Sequence, residues 1–161
     1  MLVGLGELLA GAFVVSGRRK GMSVLEEPAA IGSRLDRLLE GAVTSRLHLA
    51  LVLVGKMKMD AGTVLDLRWL QVALDRRVIT TRDGRVGFGE PIAGLLYWHA
   101  TRQRMDHMHS RRWADAGMVF VNQYGTRFTA EQADAALAQY CLMLDLPVVP
   151  LAGLRHPVWA G

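Results

Sequence analysis

The chain has 161 residues, enough for one domain with a real core and short for two. Apolar residues make up 51% and charged residues 21%, which excludes an intrinsically disordered chain. The net charge is +4, the isoelectric point is about 9.7, and sixteen of the nineteen basic residues are arginine. The guanidinium fork suits phosphate, so the balance leans toward a nucleic-acid partner, although an arginine-rich genome would give the same composition.

The stretch Met1–Ser16 is apolar apart from Glu7, and its basic cluster Arg18-Arg19-Lys20 follows the apolar run. A signal peptide has the opposite order, and a membrane span is longer, so no membrane contact is expected. Gly17 to Gly21 and then Glu26-Glu27-Pro28 read as a linker, which makes residues 1–25 an extension and 26–161 the main body. Ser33 can cap a helix with Leu35, Leu38 and Leu39 on one face. Ser45 can begin a second helix whose buried centre is Leu47 to Val54, and Val64 to Trp69 continues the helical region.

Arg77 to Thr81 is β-prone, Asp83-Gly84 signals a tight hairpin, and Arg85 to Phe88 returns. Ile92 to about His109 reads as a helix with Leu95, Leu96 and His99 on one side. Met118 to Val121 reads as a short strand, Gln123 to Thr126 as a turn, and Thr129-Ala130-Glu131-Gln132 as a capping box. The helix after it places Ala133, Ala136, Leu137, Tyr140, Cys141 and Leu144 at spacings of three and four. Pro147 and Pro150 then break the chain before Leu154. Helices around a small antiparallel hairpin or sheet make the fold class α+β, mostly helical. The lone Cys141 excludes an internal disulfide and fits a reducing cytoplasm, where a buried thiol in an apolar pattern is structural.

The order of four short segments carries a resemblance. Leu65 to Ile79, containing Leu67-Arg68-Trp69, leads from a helix into the hairpin. Gly117-Met118-Val119-Phe120 precedes Tyr124-Gly125-Thr126, and Leu146-Pro147 precedes Leu154-Arg155-His156. In this order the chain resembles the catalytic domain of the tyrosine recombinases, or phage integrases, over roughly Ser33 to His156. The resemblance implies DNA integration or site-specific recombination, in which a tyrosine attacks a DNA phosphate and two arginines hold its non-bridging oxygens. Such donors are each worth on the order of 10²–10³ in rate.

Residue by residue, most of that apparatus is absent. Counting back from Arg68-Trp69, the family's first arginine falls on Asp60 and its glutamate on Thr63, with Lys58 two residues out of register. A carboxylate facing a phosphate repels the charge the reaction must stabilise. Where a hairpin lysine segment is usual, Ile92 follows Gly89-Glu90-Pro91, and the histidine of the last motif falls on Ala152. Arg155 and His156 are kept as vestigial catalytic positions, His156 matching a frequent family residue that is more often structural. The family's tyrosine lies downstream of this arginine, and none occurs after Arg155. An incomplete, inactive domain is therefore expected over residues 26–161.

Tyr97, Tyr124 and Tyr140 all precede Arg155; Tyr97 and Tyr140 read as packing residues and Tyr124 as an exposed turn residue. Asp106, His107 and His109, with His99 and Asp115, read as a solvated helix end rather than a metal site, and no cofactor loop is present. Arg111, Arg112 and Arg127 are the candidate contacts to a DNA backbone, giving weak binding, with self-association and a cytoplasmic location also expected. Alternatives are a non-enzymatic DNA-binding accessory protein and a decayed gene product. Without further helices, Leu151, Leu154, Val158 and Trp159 are expected to leave apolar surface open after Leu146.

Overall fold

The computed structural model describes residues 33–109 and 117–160, and the first described residue, Ser33, caps a helix. The Ser33 hydroxyl accepts from Asp36 N at 3.0 Å and the Asp36 carboxylate takes Ser33 N, closing a capping box on α1 (Arg34–Gly41). Helix α2 (His48–Gly55) follows, buried over Leu49 to Gly55, and it is the centre of the core. It starts at His48, three residues later than Ser45, because Ser45 to Leu47 form a turn. Gly55 lets α1 approach: a Cβ there would stand 2.6 Å from Leu35 Cδ1. Asp36 also pairs with Lys56 at 2.6 Å, and that contact is the main cause holding its carboxyl below the usual range.

The helical region does not run on to Trp69. It is interrupted at Lys58, resumes as α3 (Ala61–Leu65), and gives way to extended backbone at Arg68 before a 3-10 turn, Trp69–Gln71. Strands β1 (Val72–Ala73), β2 (Val78–Thr81) and β3 (Gly84–Gly87) form one antiparallel sheet in that order. Thr81 pairs with Gly84, so the two turn residues are Arg82-Asp83, one position before the Asp83-Gly84 expected. The Thr81 hydroxyl accepts from Asp83 N and donates to Gly84 O, and Gly84 takes φ 129°. That angle strains any residue but glycine.

Helix α4 (Glu90–His109) begins directly after the sheet. Met118 to Val121 is not a ladder strand: among the described residues it is held by isolated bridges, Arg68 with Met118 and Val121 with Arg127. The Thr129 capping box opens α5 (Ala130–Met143) with Gln132 as its partner, as the sequence indicates. A second 3-10 turn, Leu151–Arg155, and a final short helix α6 (Pro157–Ala160) complete the described chain. The α+β class with a small antiparallel sheet is borne out.

The carboxy-terminal expectation is overturned. Leu151, Leu154 and Trp159 are 2%, 0% and 1% exposed, and Val158 alone of the four faces solvent. The Leu151–Arg155 turn lies against α2, α3 and α5, while α6 packs on α1. Burying large apolar side chains between non-adjacent helices is what closes this face. Leu142, Met143 and Val148 are the exposed apolar residues of this region instead. Ser33 onward forms one compact unit, and the proposed boundary between residues 25 and 26 lies outside the described residues.

Candidate functional site

Asp60 and Arg155, ninety-five residues apart in the chain, come close enough in space for their charges to interact. After α2 the chain leaves the core through Lys58, whose φ of 60° is left-handed, and Met59 N returns to Leu53 O at 3.1 Å. This reversal presents Lys58 and Asp60 on the outside. The Asp60 carboxylate accepts from Thr63 N at 3.0 Å and from the Thr63 hydroxyl at 3.2 Å, so it is the cap of α3. Those bonds, the backbone one foremost, hold its carboxyl below the usual value, with the nearby charge of Arg155 acting the same way.

Arg155 reaches this point from the opposite side. Pro147 and Pro150 keep the chain extended, and Leu151 N then donates to Asp134 Oδ1 of α5 at 2.8 Å, fixing the start of the turn. Lys58 Nζ donates to the Arg155 carbonyl at 3.5 Å. Lys58, Asp60 and Arg155 therefore gather at one exposed spot, two cations and one carboxylate. Such a cluster can attract a phosphate through Arg155 and Lys58. Its third member, Asp60, is a carboxylate and repels an approaching phosphate.

The other candidates separate from it. His156 is exposed, and its Nδ1 accepts from Val158 N at 3.2 Å, starting α6. Ala152 is exposed and has no polar side-chain atom, while Ile92 is half-buried against the core in the first turn of α4. Arg127 is engaged by Asp66 at 2.6 Å, with both side chains more than half exposed. Arg111 and Arg112 lie outside the described residues, as do Asp115 and the side chains of His107 and His109. Tyr97 is exposed rather than packed, Tyr124 is exposed, and Tyr140 is half-buried against the core. Cys141 is fully buried, which pushes its thiol pKa up. Among the described residues no group of three His, Cys, Asp or Glu side chains could hold a metal ion, and no helix is long and apolar enough to cross a membrane.

Sequence reasoning missed a polar network that joins Trp69 and α4 to the Met118–Val119 segment. Trp69 Nε1 donates to Gln103 Oε1 at 2.8 Å, and Gln103 Nε2 donates to the Met118 and Val119 carbonyls. His99 Nε2 donates to Val119 O at 2.6 Å, between the rings of Trp69 and Phe120. Partial burial pushes the His99 pKa below its ordinary value. The i, i+4 spacing of His99 and Gln103 was the available signal.

No family model matches the sequence, and no curated protein matches it. Among solved structures, the fold is similar to the crystal structure of XerA recombinase, with a TM-score of 0.64 and 17% sequence identity. The match covers 87% of this chain and 50% of that one, so the chain spans about half the length of the XerA recombinase chain. At this identity the likeness is one of fold: the chain has a recombinase-like fold.

Proposed function

We propose that this chain is a DNA-binding protein of the recombination and integration class that has lost strand-cleaving activity. The observation that carries this reading is Asp60 beside Arg155. A helix-capping carboxylate stands where the family resemblance asks for a phosphate-holding arginine, so the local charge has the wrong sign for the transition state. Arg155 and Lys58 remain available for phosphate, and Arg111 and Arg112 add contacts to the duplex backbone. Arg127 joins them only by exchanging its bond to Asp66 for one to DNA. Binding of this kind is weak, independent of sequence and sensitive to salt. Residues 26–161 form the DNA-binding body, working in the cytoplasm and capable of self-association.

The buried Trp159 favours a non-enzymatic accessory protein with its own closed core over a decaying gene product. The test is incubation with labelled suicide-substrate DNA, followed by denaturing electrophoresis. No protein–DNA adduct is expected. An adduct abolished by Tyr124→Phe would overturn the reading, because Tyr124 is an exposed tyrosine.

A further inference from the structure

We propose that a second site, independent of the Arg155 cluster, binds a small phosphate monoester between the α1–α2 connection and α5, with Arg46 and Arg102 holding the phosphate. The groove encloses about 510 Å³ and runs from Thr44-Ser45-Arg46 past Arg102 of α4 to the Asn122–Tyr124 turn and the flank of α5. A volume of that order accommodates a small ligand.

Its electrostatics select an anion. Arg46 gives Nη2 to Asp106 at 3.2 Å, yet its Nε is buried with no acceptor. Arg102 is half-buried, and its side chain makes no hydrogen bond or ion pair among the described residues. Both arginines also line the small adjoining cavity with Asp106, so two cations and one carboxylate border it. A buried N–H without an acceptor costs free energy, and the positive charge of the two guanidinium groups attracts a phosphate to this end of the groove. The Ser45 oxygen accepts from Leu47 N at 3.0 Å, which leaves its O–H to donate into the groove. Three terminal phosphate oxygens match these donors better than the two of a carboxylate.

The walls explain why an ester is preferred to the free ion. Asn122, 5% exposed, accepts from Tyr124 N and Thr126 N and donates to Thr126 Oγ1 and Gln132 Oε1, which fixes the turn. Phe128, Tyr140 and the exposed Tyr124 and Met143 then present apolar and aromatic surface beside the arginines. A flat organic group can lie there while its phosphate meets the guanidinium groups. The groove residues of α5, Gln132, Ala136, Gln139 and Met143, lie on the opposite flank from Asp134, which holds the turn leading to Arg155.

The experiment titrates the full chain with adenosine 5′-monophosphate and with inorganic phosphate, by calorimetry and amide chemical shifts. The monophosphate should saturate at millimolar concentration or below, more tightly than phosphate, with shifts at Arg102 and Tyr124. Arg102→Ala should weaken it by on the order of tenfold, Arg102→Lys by less, and Arg155→Ala not at all. A short DNA duplex, whose phosphates are diesters with two terminal oxygens, should not displace the nucleotide, and displacement would overturn the choice of a monoester. The proposal is overturned if the monophosphate does not saturate, or if Arg102→Ala with an unchanged circular dichroism spectrum binds it equally well.

Discussion

Replacing Trp159 by alanine tests the closure of the core by the last turn of chain. The indole is 1% exposed and sits on α6, which packs against α1. A buried tryptophan removes about 150–250 Å² from water, so at about 25 cal/mol per Å² the change costs up to roughly 4–6 kcal/mol. Truncations of this kind usually cost about 3–5 kcal/mol, a large part of the roughly 5–15 kcal/mol that holds a domain together. Urea unfolding followed by far-UV circular dichroism should show the midpoint falling by about 2 M, for a slope of about 1–3 kcal/mol per M. Val158→Ala is the neighbouring control, half-exposed and expected within about 0.5 kcal/mol of wild type. Equal midpoints for the two variants would refute the packing of Trp159 as the closure of this face.

Stability should also depend on pH through His99 and His48, both half-buried, and their partial desolvation favours the neutral ring in the fold. Their folded pKa values lie below the ordinary 6.5, so their contribution is complete above that pH and is lost as the pH falls below it. The urea midpoint should be flat above neutrality and fall toward pH 5, and His99→Gln should shallow that fall; an unchanged profile would contradict the assignment. Asn122→Ala strands two backbone N–H groups and two side-chain partners, and should cost about 2–4 kcal/mol, whereas Gln123→Ala should cost little by the same assay. Thr129→Ala removes the cap of α5 and should cost about 1 kcal/mol, with a loss of helical signal on heating.

Local chemistry was legible in the sequence. Ser33 and Thr129 mark helix starts because a hydroxyl there satisfies a free backbone N–H, whatever lies elsewhere in the chain. The hairpin was legible too, but its register slipped by one because the Thr81 hydroxyl, not the Asp83-Gly84 pair alone, sets the turn. The break at Lys58 was illegible, since a left-handed lysine has no local signature and depends on Met59 reaching back to Leu53. The burial of Trp159 was illegible for a similar reason, because its partners on α1 lie more than a hundred residues earlier. At the candidate site, the meeting of Asp60 and Arg155 followed from motif order, whereas the capping role of Asp60 needed the geometry. Arg127 was misleading because the sequence gives no sign of Asp66 folding against it.

The most direct measurement is the salt dependence of duplex binding, read by fluorescence anisotropy of a labelled random-sequence oligonucleotide. Wild type should bind at low salt and release as salt rises, with a slope set by a few phosphate contacts. Arg155→Ala should lower that slope by about 0.9, the value for one lost contact on duplex DNA. No binding at low salt, or an affinity and slope unchanged by Arg155→Ala, would contradict the assignment of Arg155 as a DNA-phosphate contact.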